Sequence, residues 1–124
     1  MMKLLEAMAK VEGFYANSIH KNRPQKNNNP GDIMAGKFTQ AHGSIGSDGR
    51  FAIFPDVLTG FKCMAALLKS STYRGLTIEK ALTKWAPPNE NATKQYIATI
   101  CKLTGLKSTD IISDHVELPD KVGK

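Results

Sequence analysis

Apolar residues at intervals of three and four positions restrict this chain to a mainly helical fold. The first such segment, Met1–Tyr15, carries its apolar stripe at Leu4, Leu5, Met8, Val11 and Tyr15. Three later segments repeat the spacing, one after Pro55-Asp56, one after Thr77 and one after Asn89 or Asn91. A further short helix is indicated over Ser108–His115. The pattern predicts four to five helices in a single domain that covers residues 1–124.

One β-like region interrupts the helical pattern. The segments Ile33–Thr39 and Gly49–Phe54 flank a stretch rich in turn residues, and Asp48-Gly49 is typical of a tight turn. A single short hairpin in a helical chain forms a lobe and not a core sheet. We therefore predict a mainly α fold of the α+β kind, with one small β-hairpin lobe inserted after the first helix.

Glu12 is the candidate catalytic residue of the first helix. It follows Met8 by four positions, so its carboxylate borders the apolar stripe, and the next residue, Gly13, is typical of a helix end. The end of a helix and partial burial both disfavour a negative charge, which raises the pKa of a carboxyl group toward neutrality. A general acid needs such a pKa. The alternative is a solvated glutamate on the last turn.

The asparagines of the loop after the first helix admit two interpretations. The segment Ala16–Asp32 is dense in Asn, Pro and Gly and is predicted to be an ordered loop. Asn27, Asn28 and Asn29 either form turns with their own backbone or present a wall of amide groups to sugar hydroxyls. Different members of the run can follow different interpretations.

The net charge of the chain limits the kinds of partner that it is expected to bind. Seventeen Lys and Arg residues against eleven Asp and Glu residues give a formal net charge of +6, which favours an anionic partner such as an acidic wall polymer, a nucleic acid or a membrane surface. The basic residues are scattered and form no Arg-rich recognition helix, so no specific nucleic-acid partner is expected. The absence of a run of eighteen apolar residues predicts that nothing spans a membrane.

Cysteine and histidine spacing predicts no metal and no cofactor. Cys63 and Cys101 are single thiols on apolar helical stripes and are expected to be reduced core residues. His20, His42 and His115 lie far apart in the chain and lack the spacing of metal ligands.

The order of these features resembles that of the lysozyme-like superfamily, and within it a group of short phage and prophage muramidase-like proteins. The positions that carry the resemblance are Val11-Glu12-Gly13-Phe14, Asn27-Asn28-Asn29-Pro30-Gly31, Gly49-Arg50-Phe51-Ala52-Ile53-Phe54-Pro55, Arg74-Gly75-Leu76-Thr77, Lys84-Trp85-Ala86-Pro87-Pro88-Asn89-Glu90-Asn91 and Tyr96. The segment from Asn91 to Ile97 is also similar to a late motif of lytic transglycosylases, in which a helical tyrosine approaches the catalytic glutamate. Asp32 departs from the pattern, because such proteins more often carry asparagine there.

The resemblance implies a peptidoglycan-cleaving glycosidase, a lysozyme or muramidase that acts on the β-1,4 bond between N-acetylmuramic acid and N-acetylglucosamine. Glu12 would be the general acid, and Asp48 is the best-placed candidate for the second carboxylate that such cleavage commonly uses. The residues expected to bind substrate along the cleft are Gln25, Asn28, Asn29, Phe54, Trp85 and Tyr96. For Trp85 and Phe54, a place in the hydrophobic core is the alternative to substrate binding. Tyr96 is expected to bond Glu12, because a buried tyrosine needs a partner for its hydroxyl.

Three other functions stay open at this point. A lytic transglycosylase would release anhydro sugars, with Tyr96 supporting the glutamate. A non-catalytic virion structural or wall-binding protein could share the fold, and a small basic nucleic-acid-binding module is the third hypothesis. We expect a monomer made in the host cytoplasm without a signal peptide, because charged residues interrupt the first apolar segment. It would act on the wall after release, as an endolysin does, or be carried in the virion of a bacteriophage.

Overall fold

The computed structural model describes residues 1–86 and 89–120. Within them the chain is mainly helical with one small antiparallel hairpin, as the apolar spacing predicts. A 3-10 helix, Ile112–His115, follows the last α-helix. The other elements in chain order are α1 (Leu4–Val11), α2 (Arg23–Lys26), α3 (Lys37–Ala41), β1 (Gly46–Ser47), β2 (Ala52–Ile53), α4 (Val57–Lys69), α5 (Ile78–Trp85) and α6 (Glu90–Thr104).

The three longest helices after α1 begin at the caps that the sequence indicates. The side chains of Asp56, Thr77 and Asn89 each accept a hydrogen bond from the backbone N–H three residues further on, which satisfies one of the free donors of a helix start. α6 ends at Gly105, whose φ of 75° lies in the left-handed region that favours glycine. Pro87-Pro88, expected to terminate α5, lies outside the described residues.

Two short helices replace parts of the chain that the sequence predicts as loop and strand. α2 forms one turn inside the predicted loop, because the side chain of Asn22 accepts a hydrogen bond from the Gln25 N–H and caps the turn. α3 begins inside the predicted segment Ile33–Thr39, whose only β pairing among the described residues is a bridge from Met34. The described residues therefore hold six α-helices instead of four to five.

The hairpin lobe is short and is fastened to the loop that precedes it. Its strands pair Gly46 with Ile53 and Ser47 with Ala52. The Ala52 N–H donates to the carbonyl of Ile33 over 2.9 Å, on the side of the strand away from β1. The lobe is therefore joined by backbone hydrogen bonds to the segment that leads into α3.

The buried side chains form one cluster in which α4 is central. Phe61, Met64 and Leu68 of α4 are fully buried, and α1 packs against both α4 and α6. α4 also contacts the asparagine loop closely at Gly60, where an added Cβ would lie 2.2 Å from the carbonyl oxygen of Asn28.

Two further predictions concern membrane spans and cysteines. None of the described helices has the length and apolar character that crossing a membrane requires. Cys63 is buried in the core and Cys101 is half-buried on α6, and both are free thiols.

Candidate functional site

Glu12 closes α1 and contacts a tyrosine of α6. It is the C-cap of the helix, and the following Gly13 has a φ of 89°. The Tyr96 hydroxyl donates a hydrogen bond to Oε2 of Glu12 over 3.0 Å. The expected contact between Tyr96 and Glu12 is therefore confirmed, and Tyr96 is a buried residue behind the acid.

The surroundings of Glu12 favour its protonated form. Burial raises the pKa of Glu12 to about 7, and the negative charge of Asp32 also raises it. The hydrogen bond from Tyr96 and the positive charge of Arg23 lower the pKa, but burial outweighs them. A carboxyl group with this pKa can give up or take back a proton near neutral pH, as a general acid does.

An open groove of about 470 Å³ runs beside Glu12. It is formed where the end of α1, the turn of α2, the asparagine loop, the hairpin lobe and the end of α5 meet. Its lining residues are Glu12, Arg23, Gly31, Asp32, Met34, Arg50, Phe51, Lys84, Trp85 and Ala86. Glu12 therefore combines partial burial with access to a space that can hold a ligand.

Trp85 lies where the groove meets a second, more apolar cavity of about 310 Å³. It lines both cavities and is half-buried, and its ring meets that of Tyr73 edge-on with centroids 5.6 Å apart. Phe38 and Leu67 form further parts of the apolar wall. Trp85 therefore lies on the groove wall and also packs against the core, and its predicted contact with substrate stays a prediction.

Asp32 is the other carboxylate on the groove. The Nε of Arg23 donates to Oδ1 of Asp32 over 2.9 Å, and the second guanidinium nitrogen, NH2, bonds Oδ2. The same guanidinium lies 3.7 Å from the centroid of the Phe51 ring. The Asp32 side chain is 9% exposed and its backbone has a φ of 48°. Where the resemblance expects asparagine, this chain therefore has an aspartate held by an arginine.

The chain matches no protein-family model, and no curated protein is significantly similar to it.

Asp48 has a structural role in the hairpin turn and does not line the groove. Its Oδ1 accepts hydrogen bonds from the N–H groups of Phe51 (2.8 Å) and Arg50 (3.0 Å), and its Oδ2 accepts one from Asn27. These bonds, that from Phe51 most of all, lower the pKa of Asp48 to about 2. The prediction of Asp48 as second catalytic acid is corrected on this geometry, because its carboxylate serves the turn.

Gln25 and Asn29 are also structural. The Nε2 of Gln25 donates to the carbonyls of Phe14 and Ala16, each over 2.9 Å. Asn29 is fully buried, and its amide bonds the N–H and carbonyl of Ile33 and the carbonyl of Ala52. The prediction that Gln25 and Asn29 bind substrate is wrong, because both amides are used inside the protein.

Asn28 and Phe54 likewise lie away from the groove lining. The Nδ2 of Asn28 donates to the carbonyl of Phe54 over 3.0 Å, and Asn28 has a φ of 51°. Phe54 is 1% exposed and belongs to the core, which is the alternative that the sequence left open. Their predicted contact with substrate is therefore corrected as well.

Of the residues that line the groove, the sequence names Glu12 and Trp85 as site residues. Arg50 and Lys84 stand in segments that carry the resemblance but have no predicted role, and Arg23 and Met34 lie outside those segments. Arg23 comes nine positions before Asp32, and in a loop no spacing rule predicts an ion pair between residues so placed. The departure at Asp32 was the one sequence signal pointing to this part of the groove.

The groove offers a proton donor, an aromatic wall and an excess of positive charge. Within residues 1–86 and 89–120, no group of three or more His, Cys, Asp or Glu side chains could hold a metal ion. The arrangement suits acid-catalysed chemistry on a polar ligand.

Proposed function

We propose that this protein is a peptidoglycan-cleaving glycosidase of the lysozyme-like kind, with Glu12 as general acid. The observation that carries the proposal is a half-buried carboxyl group, with a pKa of about 7, on the wall of an open groove. Breaking a β-1,4 glycosidic bond requires a group that protonates the leaving oxygen. A carboxyl group with an ordinary pKa would have lost that proton at neutral pH.

The shape and lining of the groove support a sugar ligand. Its volume of about 470 Å³ and that of the adjoining cavity, about 310 Å³, lie in the range of pockets for small ligands and ligand fragments. Trp85 supplies a large apolar ring on the wall, against which the apolar face of a sugar can pack.

In the proposed reaction the proton on Glu12 passes to the bridging oxygen as the bond from that oxygen to C1 breaks. Positive charge then develops on the ring left behind, and in a hydrolase a water molecule adds to C1 and gives up a proton that returns to Glu12. Tyr96 holds Oε2 of Glu12 and thereby fixes the orientation of the carboxyl group. Asp32, on the same groove, supplies a negative charge that favours the developing cation.

A lytic transglycosylase is the second candidate, and the bonding of the acids favours it. Both oxygens of Asp32 accept hydrogen bonds from Arg23, and both oxygens of Asp48 accept hydrogen bonds within the hairpin lobe and its neighbouring loop. Both carboxylates are thus already engaged by protein donors, which disfavours either of them as the base that activates water. The C6 hydroxyl of the muramyl sugar would instead attack C1, and its proton would return to Glu12.

Mass spectrometry of fragments released from purified peptidoglycan tests the proposal. The wild-type protein should release disaccharide-containing fragments, and Glu12→Gln should release none while keeping the wild-type circular dichroism spectrum. Reducing ends would identify a hydrolase, and anhydro ends a transglycosylase. If neither protein releases fragments and both sediment with cell walls, the protein is a wall-binding member of the fold and the proposal fails.

A further inference from the structure

The groove carries more positive than negative charge. Arg23, Arg50 and Lys84 contribute three cations to its lining, whereas Asp32 contributes one anion and Glu12 is neutral when it holds its proton. Arg23 is paired with Asp32. Among the described residues, Arg50 and Lys84 therefore carry two positive charges along the groove that no carboxylate pairs with.

These two cations come from different elements. Arg50 belongs to the turn of the hairpin lobe, and Lys84 to the last turn of α5. Within residues 1–86 and 89–120, neither forms an ion pair with a carboxylate. Both side chains are exposed, so a ligand in the groove can reach them.

We infer that Arg50 and Lys84 are specificity residues that make this groove select glycans bearing carboxylates over neutral glycans such as chitin. The inference deepens the proposed function and rests on it for the identity of the ligand as a glycan. A guanidinium group matches the two oxygens of a carboxylate, and an ammonium group pairs with it as a point charge. A neutral glycan would remove water from part of both cations without supplying an opposite charge that offsets this cost.

Two sources in peptidoglycan offer the carboxylate. One is the carboxylate of the lactyl group of muramic acid, which is free where the peptide has been removed. The other is the peptide stem, whose acidic residues and terminus carry their own carboxylates. Strands of each kind therefore form separate arms of the test.

Binding to matched soluble strands tests the inference independently of cleavage. The full chain carrying Glu12→Gln, which holds the ligand without turnover, is titrated by calorimetry with four strands of equal length. These are chitin oligosaccharide, peptide-free glycan with lactyl carboxylates, the same glycan with these carboxylates amidated, and peptide-bearing glycan. Arg50→Gln and Lys84→Gln are added to this background one at a time. Lys62→Gln and Lys102→Gln are the controls, because they remove an equal charge from exposed positions outside the groove lining.

We expect each groove variant to weaken binding of the carboxylate-bearing strand about two- to fivefold, as for other exposed charge pairs. Binding of chitin and of the amidated strand should not change, and the controls should match the parent protein. Tighter binding of the peptide-free strand identifies the lactyl carboxylate as the partner, whereas a preference confined to the peptide-bearing strand identifies the stem.

Equal binding of the native and amidated strands would overturn the inference, as would an equal loss in the groove and control variants. Absence of binding to every strand would do so too. A protein that cleaves nothing but still shows the charge preference would refute the proposed enzyme and leave this inference standing. The two failures are therefore distinguishable.

Discussion

The hydroxyl of Tyr96 lies 3.0 Å from Oε2 of Glu12 and joins α6 to the end of α1 across 84 positions of the chain. The hydrogen bond lowers the pKa of Glu12, whereas burial, the larger effect, raises it. Tyr96 thus fixes the orientation of a carboxyl group that its surroundings keep partly protonated.

Glu12→Gln should abolish wall cleavage. General acid catalysis contributes about 10²- to 10⁴-fold to rate, and glutamine has no proton of suitable acidity to give. The clearing rate of purified walls and the release of reducing or anhydro ends measure the loss. Glu79→Gln is the matched control, because Glu79 is an exposed residue of the first turn of α5, outside the groove lining. An active Glu12→Gln would refute the assignment of the acid.

Tyr96→Phe should lower kcat and move the alkaline limb of the pH profile upward. The lost hydrogen bond lowers the pKa of Glu12 in the wild type, so its removal raises that pKa. We expect kcat to fall about tenfold, since a hydrogen bond to an ionisable group contributes about 1.5 kcal/mol. Tyr73→Phe is the control and should leave the limb in place. A limb that does not move in Tyr96→Phe would show that the bond has no part in tuning the acid.

Asp32→Asn and Arg23→Gln should shift the alkaline limb in opposite directions. The charge of Asp32 raises the pKa of Glu12 and that of Arg23 lowers it. Activity should therefore be lost at a lower pH in Asp32→Asn and at a higher pH in Arg23→Gln. Activity profiles from pH 4 to 9 at constant ionic strength measure the shifts. Shifts of the same sign in both variants would contradict this account.

Folding stability should fall as pH rises through the range in which Glu12 ionises. The pKa of Glu12 is about 7 in the folded chain against 4.5 for the free group, so the folded state binds more protons between these values. The stabilisation is complete below pH 4.5 and is lost as pH rises through about 7. It amounts to about 3 kcal/mol.

Urea unfolding of wild type and Glu12→Gln at pH 4 and pH 8 measures this effect. Glutamine does not ionise, so the wild type should lose about 3 kcal/mol relative to the variant between the two pH values. The comparison cancels the titration of groups that both proteins share. A difference that stays constant would mean that burial does not disfavour the Glu12 charge.

Gly60→Ala should destabilise the fold, although alanine favours helices. A Cβ at this position would lie 2.2 Å from the carbonyl oxygen of Asn28 and 2.7 Å from Cδ of Pro30. Overpacking of about 3 kcal/mol should exceed the gain of about 1 kcal/mol in helix propensity, a net loss of about 2 kcal/mol. Gly36→Ala, where no atom lies within 4 Å, is the control for urea unfolding. Equal stabilities of the two variants would exclude this close contact.

The helical part of the fold could be predicted because its signals are local. Apolar spacing identifies α4, α5 and α6, and residues that favour helix starts place their beginnings near Asp56, Thr77 and either Asn89 or Asn91. The structure has the caps at Asp56, Thr77 and Asn89. The short helices α2 and α3 were missed because each has only one turn or little more. Such turns depend on single side-chain hydrogen bonds, as from the Gln25 N–H to Oδ1 of Asn22, and not on periodicity.

The site could be predicted only in part, since its contacts join distant segments. The contact of Tyr96 with Glu12 and the place of Trp85 on the groove follow from helix position and resemblance. The amides of Gln25 and Asn29 suit backbone groups and sugars equally well, and only the path of the chain decides between them. For the same reason, the sequence does not reveal that Asp32 pairs with Arg23 on the groove or that Asp48 bonds the hairpin turn.

The buried amide of Asn29 has a mechanical consequence for catalysis. Its hydrogen bonds to Ile33 and to Ala52 connect the hairpin lobe to the segment that contains Asp32. Spreading these parts would break interior hydrogen bonds at about 1–3 kcal/mol for each group left unpaired. For the proposed reaction we therefore expect the groove to keep its shape, so that the bound glycan would supply the distortion that the transition state needs.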